Sequence, residues 1–327
     1  MKAILVNEDK TLRWADVPDP IIKPDEVLVK IAATAVNRAD LMQREGNYPP
    51  PPGCPEWMGL EISGTIVECG NDVSKLSNWE VGDEICALLG GGGYAEYVAV
   101  KYDMLMPIPK GCSLIEAAAL PEAFATSYLN LFIEGGLKAG NTFLVTGGNS
   151  GLASVMIPMA KAFGCKTITT VRGDLKAEAI KTLKADLVID TTKVKLSDAL
   201  AMEFASGTTI DVAIDCIGGE DMGACLPYMT HGGRWIMIAS LAGFATRIDL
   251  KNIYVRNVRI IGSTLRSRSP ETKAKILAEL VEKIWPKVEN SEIRPTIYKI
   301  LPITEAEAAH NLLYNSESVG KVILTIE

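Results

Sequence analysis

From Met1 to about Leu120 apolar and polar residues alternate in short runs, each closed by glycine or proline. Ala3 to Val6, Glu26 to Ala32, Ser63 to Cys69, Glu84 to Ala87 and Tyr94 to Val100 fit strands, because successive side chains on a strand face opposite sides of a sheet. Beyond Ser113 the period lengthens. After Glu116-Ala-Ala-Ala-Leu-Pro121 a stretch on to Leu131 reads as helix, and from Thr142 apolar runs, glycine turns and helical segments recur in rotation. The runs Thr142 to Thr146, Lys166 to Val171, Leu187 to Ile189, Asp211 to Cys216, Arg234 to Ala239 and Val258 to Gly262 predict an α/β arrangement. Its sheet is parallel, doubly wound and six-stranded, the size of a complete dinucleotide-binding or Rossmann fold. The rotation stops at Thr264, after which a helix near Glu271 to Trp285 and a strand near Lys321 to Ile326 are expected. Pro158 resists the scheme, since inside a predicted helix it removes a backbone bond and bends the axis.

A chain of 327 residues is longer than a single core usually serves, so two domains are expected. The pattern places a β-rich domain over 1–120 and the dinucleotide-binding domain over 121–262, with a tail over 263–327 that does not continue the alternation. A net charge of −7 disfavours nucleic acid and anionic membrane, both of which reward clustered Lys and Arg. A local basic pocket for one phosphate is compatible with it. The seven cysteines are odd in number, scattered and without a C-x-x-C pair, the pattern of reduced thiols in a cytosol. Only His231 and His310 are present, so a Cys/His metal centre would need distant pieces. No signal-peptide core follows Met1 and no run approaches ~20 apolar residues, which leads us to expect a soluble, cytoplasmic protein.

The first candidate chemistry is the turn after the first Rossmann strand, Thr146 to Ser154. Against a G-x-G-x-x-G fingerprint, Gly148 matches, Ser150 replaces the second glycine and Ala153 takes the last position. The turn opens a helix whose free amides and positive dipole end suit a pyrophosphate, making Gly148, Asn149, Ser150, Gly151 and Leu152 candidate cofactor contacts. Some 20 residues on, an NAD enzyme presents Asp or Glu to the adenosine ribose. Here Val171-Arg172-Gly173-Asp174-Leu175-Lys176 closes the strand without a carboxylate, and Arg172 with Lys176 can neutralise a 2′-phosphate. NADPH is therefore the expected cofactor. The alternative is two solvated cations at a helix start, with Asp174 folded back on one of them.

The wording Asn37-Arg-Ala-Asp40-Leu-Met-Gln-Arg44, with Tyr48-Pro49-Pro50-Pro51-Pro52-Gly53 and Gly59-Leu60-Glu61-Ile62-Ser63-Gly64, resembles a known family over nearly the whole chain. That family is the zinc-free quinone oxidoreductases, or zeta-crystallin group, of the medium-chain dehydrogenases/reductases, and the wording is closest to their stress-inducible NADPH:quinone oxidoreductase branch. In zinc-dependent relatives the matching segments carry a Cys and a His that ligate zinc; here they read Asn37 and Leu60, neither suited to a catalytic zinc site. Gly90 to Gly93 lies where those relatives insert a four-cysteine lobe. The resemblance thus implies no metal, and a GroES-like β-rich catalytic domain beside the Rossmann domain, with the tail over 263–327 returning to the catalytic domain. It also implies a homodimer, to which the apolar edge strand Val258 to Gly262 adds a physical motive. Further cofactor contacts are implied residue by residue. Lys176 would meet the phosphate and Thr126 the nicotinamide, with Cys216, Ser240 and Leu241 at the ends of the fourth and fifth strands. Leu265 and Arg266 fall in the segment that covers the ring, and Lys321 in a closing strand whose lysine reaches the cofactor edge. A plain edge-strand lysine remains the other reading of Lys321.

Hydride transfer needs an acceptor held against the nicotinamide, exclusion of water, and accommodation of charge on the reduced oxygen. A quinone asks least, because its reduced oxygen resembles a tyrosine phenolate with a pKa of ~10 that water can protonate. Tyr48 is the candidate for bonding the acceptor carbonyl or packing on its ring, and Asn37 for orienting the nicotinamide ribose or carboxamide. A turn aromatic and a capping asparagine are the competing readings. The expected function is zinc-independent reduction of a quinone by NADPH. Reduction of an activated C=C bond in an enone or enoyl thioester is the nearest alternative, and a non-catalytic, RNA-binding crystallin role is disfavoured by the acidic balance.

Overall fold

The computed structural model describes residues 1–326, and the chain forms two compact units. The first gathers Met1–Ala125, Arg266–Ser291 and the residues from Pro295 on; the second is Thr126–Leu265 with Glu292–Arg294. In chain order the first unit contributes β1 (Lys2–Val6), β2 (Leu12–Asp16), β3 (Glu26–Val36), β4 (Glu61–Cys69), β5 (Glu84–Leu88), β6 (Tyr97–Lys101) and β7 (Leu105–Pro107). The second holds β8 (Thr142–Val145), β9 (Lys166–Val171), β10 (Leu187–Asp190), β11 (Ile210–Asp215), β12 (Met229–Met237) and β13 (Arg259–Gly262). The chain then returns for β14 (Ile297–Pro302) and β15 (Lys321–Thr325).

The second unit is the doubly wound parallel sheet expected from the alternation, with order β10-β9-β8-β11-β12-β13. Order reverses between β8 and β11, and the carboxyl ends of those neighbours open the crevice in which such sheets take ligands. Leu144, Ile168, Ile189, Ala213 and Trp235 from five strands pack into one core with the covering helices. Pro158 is accommodated on the outer, half-exposed side of the continuous helix Ala153–Ala162, whose Val155, Met156, Ile157, Met159 and Ala160 are all buried.

The first unit is built on a seven-stranded sheet ordered β14-β15-β3-β4-β5-β7, with β6 also paired to β3. Several elements go beyond the expectation. β3 continues through Ala33-Thr34-Ala35-Val36, all buried, where cover on both faces erases the alternation that marks a half-buried strand. Ile297–Pro302, mostly exposed, and the helix Ala306–Tyr314 were not anticipated. The seven cysteines are free, and among the described residues no helix is long and apolar enough to cross a membrane.

Candidate active site

In the second unit the turn after β8 and the end of β9 lie at the same edge of adjacent strands, since Val145 pairs with Thr169. Thr170 holds the turn: its carbonyl accepts from Gly148 N at 2.7 Å and its hydroxyl from Gly147 N at 3.0 Å. Gly148 is required by packing, because a Cβ there would stand 2.5 Å from Thr169 Oγ1. Ser150 Oγ accepts from Ala153 N, the first amide of the following helix, at 3.0 Å. The amides of Gly151 and Leu152 make no hydrogen bond among the described residues, so this helix start keeps free donors for an anion. At the end of β9, Lys193 pairs with Asp174 and lies 3.7 Å from Asp190 Oδ2. Asp174 is thereby engaged by Lys193, and neither Arg172 nor Lys176 makes an ion pair among the described residues.

The ends of β8, β11 and β12 are tied by a carboxylate that the sequence reading passed over. Asp215, 2 % exposed, accepts from Thr146 Oγ1 at 2.9 Å, Trp235 Nε1 at 3.1 Å, and Ile217 N and Gly218 N at 2.8 and 3.0 Å. The loops beyond are zipped together by Leu241 N on Cys216 O at 3.2 Å and Ala242 N on Ile217 O at 2.8 Å. Cys216, Ser240 and Leu241 are thus brought side by side at the switch point. The Cys216 thiol donates to Thr146 O at 3.1 Å, and burial raises its pKa to about 11, so it stays protonated. Thr126 opens the second unit half-buried, and Leu265 closes its main segment fully buried.

In the first unit, strand register assembles the second cluster. β3 lies between β15 and β4, with Val36 opposite Val322 and Thr34 opposite Ile62, so Asn37, Lys321 and Glu61 come to one end of three neighbouring strands. Lys321 Nζ donates to Glu61 Oε1 at 2.6 Å and Asn37 Oδ1 at 2.7 Å, and Asn37 Nδ2 donates to Glu61 Oε1 at 2.9 Å and Ala35 O at 3.2 Å. Glu61 Oε2 accepts from Glu122 N at 2.8 Å. The Lys321 and Glu61 side chains are 3 % and 0 % exposed, so the ion pair is internal and the asparagine amide is clamped at both ends. Lys321 is therefore not an edge lysine pointing into solvent.

Beneath this cluster lies a buried acid. Asp40 Oδ2 accepts from Asn37 N at 2.7 Å and Oδ1 from Gly59 N at 3.0 Å, fixing the start of the helix Arg38–Arg44 to the turn before β4. Gly59 is required there: a Cβ would stand 2.5 Å from Gly93 Cα, and its φ is +105°. Burial outweighs these bonds and pushes the Asp40 carboxyl up to about 6. Tyr94 donates to Asp40 Oδ2 at 3.4 Å and contacts His310 Nε2 at 3.2 Å. With the tyrosine proton directed at Asp40, His310 must hold its proton on Nε2, and its Nδ1 lone pair is left without a partner among the described residues. Burial lowers the His310 pKa to about 3, so the ring is neutral. Asp40 and Glu61, charged residues wedged between Ala39 and Leu41 and between Leu60 and Ile62, were the available signal for this network.

Tyr48 stands on the loop that follows, half-buried, and its hydroxyl makes no hydrogen bond among the described residues. The Arg266 guanidinium lies over its ring, 4.7 Å from the centroid.

The Alcohol dehydrogenase GroES-like domain family matches residues 23–110, and the Zinc-binding dehydrogenase family matches residues 151–283. A quinone oxidoreductase-like protein 2 homolog of Nematostella vectensis is 30 % identical over 303 residues, 91 % of this chain and 81 % of that one. A 2-methylene-furan-3-one reductase of Solanum lycopersicum is 30 % identical over 326 residues, 95 % of this chain and 74 % of that one. Among solved structures, a quinone oxidoreductase from Thermus thermophilus, determined also with NADPH, superposes with a TM-score of 0.82 at 26 % identity, each chain covered in full at 100 %. The chain belongs to the medium-chain dehydrogenase/reductase family and is an oxidoreductase. Its residues do not fit the zinc that one family name implies. Asn37 is an amide bonded to a lysine, Leu60 is a buried hydrocarbon, and Glu61 is occupied by Lys321 and Asn37. Among the described residues no three His, Cys, Asp or Glu side chains are grouped to hold a metal.

Proposed function

We propose that the protein is a zinc-independent reductase that uses NADPH to reduce quinones. The observation that carries this reading is the Asn37–Glu61–Lys321 cluster, where the family's metal chemistry would need ligands and the chain instead holds an internally satisfied ion pair and a clamped amide. Such a set does not polarise an unactivated carbonyl, whereas a quinone accepts hydride without a Lewis acid because its reduced oxygen has a phenol-like pKa of ~10.

The free amides of Gly151 and Leu152, with Gly148, Asn149 and Ser150 shaping the turn, would take the pyrophosphate; Arg172 and Lys176, free of carboxylate partners, would take a 2′-phosphate. Thr126, Cys216, Ser240, Leu241 and Leu265 would line the nicotinamide half. The bound cofactor supplies the hydride. Both amide hydrogens of Asn37 are already used, so toward a ligand it can only accept, which suits a ribose hydroxyl or carboxamide N–H. Tyr48, with its hydroxyl unengaged, would donate to the acceptor oxygen and strengthen that bond as charge develops. Reduction of an activated C=C bond is the second reading, favoured by the similarity to the tomato 2-methylene-furan-3-one reductase. A cytoplasmic homodimer completes the proposal, with edge strand β13 and nearby Tyr254, Val255 and Ile260, 68 %, 56 % and 39 % exposed, as the apolar surface for a second copy.

Substitution tests the placement. Tyr48→Phe is expected to lower kcat for a para-quinone about tenfold with NADPH affinity unchanged, the mark of a bond used mainly in the transition state. A Tyr48→Ala enzyme as active as the parent would remove Tyr48 from the site.

A further inference from the structure

Arg266 groups with the first unit and is only 8 % exposed, so its N–H donors draw their partners from inside the protein. Nε and Nη2 donate to Gly90 O at 3.1 and 2.8 Å, Nη1 to Tyr48 O at 3.2 Å, and Nη2 to Gln43 Oε1 at 2.7 Å. The planar group lies over the Tyr48 ring at 4.7 Å, and its own carbonyl accepts from Lys273 Nζ at 2.8 Å. One side chain thus joins the helix Arg38–Arg44, the Tyr48 loop and the glycine turn at 90. The loop needs such an outside anchor, because Pro49, Pro50, Pro51 and Pro52 offer no N–H with which to brace themselves.

We propose that Arg266 is a positioning residue for Tyr48, fixing the plane of the phenol and placing a positive charge over it, and that it touches neither cofactor nor acceptor. The inference rests on the reading that Tyr48 meets the acceptor. It replaces the sequence-based expectation that Arg266 binds the cofactor, since four of its five N–H donors are engaged by Gly90, Tyr48 and Gln43. Electrostatics points the same way: burial raises the Tyr48 pKa while the Arg266 charge pulls it back, against a smaller push from Glu122. Loss of the cation makes the phenol a weaker donor.

The test combines Arg266→Met, Arg266→Lys, Tyr48→Phe and the Arg266→Met/Tyr48→Phe double variant. Tyr48 ionisation is followed by ultraviolet difference absorbance against Tyr48→Phe, alongside NADPH affinity and kcat for a para-quinone. In Arg266→Met the phenol should ionise at higher pH and kcat should fall about tenfold, with NADPH affinity unchanged and no further loss in the double variant. Arg266→Lys, which keeps the charge without the fork and serves if the methionine variant unfolds, should hold the titration near its parental pH and lose part of kcat. An unmoved titration in Arg266→Met, parental kcat in Arg266→Lys, or loss of NADPH affinity that Tyr48→Phe does not share would each overturn the inference. If Tyr48→Phe itself reduces the quinone at the parental rate, it is the reading of Tyr48 that fails, and the titration still decides what Arg266 does to the phenol.

Discussion

Replacing Lys321 by Met removes half of an ion pair whose side chains are 3 % and 0 % exposed. Breaking a buried pair from one side typically costs about 3–5 kcal/mol, because the remaining charge is left without its partner in a poor solvent. Glu61 would keep the Asn37 Nδ2 bond at 2.9 Å and the Glu122 N bond at 2.8 Å, which places the loss near the lower end, about 3 kcal/mol. The second substitution, Glu61→Gln, should restore much of it. A glutamine carbonyl can accept from Glu122 N while its amide donates to Asn37 Oδ1, which Lys321 has vacated, once the asparagine amide turns over. Calorimetry is the assay, since a chain of two units need not unfold in one step. At roughly 2–4 °C per kcal/mol, Lys321→Met should lower the midpoint of the affected transition by about 6 °C or more, and the double variant by clearly less. A Lys321→Met protein melting with the parent, or a double variant whose loss equals the sum of the singles, would refute the coupling of Glu61, Asn37 and Lys321.

Three further outcomes are expected. Lys176→Ala with Arg172→Ala should erase a preference for NADPH over NADH, each lost phosphate contact costing about 1.5–3 kcal/mol in NADPH binding; equal affinities in the parent would contradict this. The Asp40 carboxyl is raised from 3.8 to about 6, so the folded state binds its proton more tightly than the unfolded one, and that contribution is present at low pH and lost as pH rises through this window. The loss amounts to about 3 kcal/mol. Asp40→Asn, already weakened by facing an amide N–H toward a backbone donor, should lack this slope of stability between pH 4 and 6; an unchanged slope would show that another group titrates. Sedimentation at micromolar concentration should find a dimer, and an Ile260→Lys substitution on β13 should yield monomers; a monomeric parent removes the proposal.

Much of the scaffold was legible because the Rossmann half repeats one unit: apolar strand, glycine turn, helix. β9 matched its expected limits, and the other five strands were found with ends displaced by a few residues. The first unit was harder, since β3 loses its alternation where both faces are covered, and β14 shows little apolar patterning because most of it is exposed. The turn at Gly148 and the basic pair Arg172 and Lys176 were visible as local wording. What stayed hidden was register: nothing local to Val319-Gly320-Lys321 says that β15 pairs with β3 and carries the lysine to Asn37 and Glu61. Asp215, Asp40 and Tyr94 were likewise readable only once their partners from distant segments came together.

The central claim, quinone reduction by NADPH without zinc, is most directly tested by steady-state NADPH oxidation with a para-quinone on protein treated with a strong chelator. The account predicts quinone-dependent oxidation at an undiminished rate, with simple aldehydes and alcohols inactive. Activity that disappears with the chelator and returns with one equivalent of zinc, or turnover of alcohols with none of quinones, would contradict it.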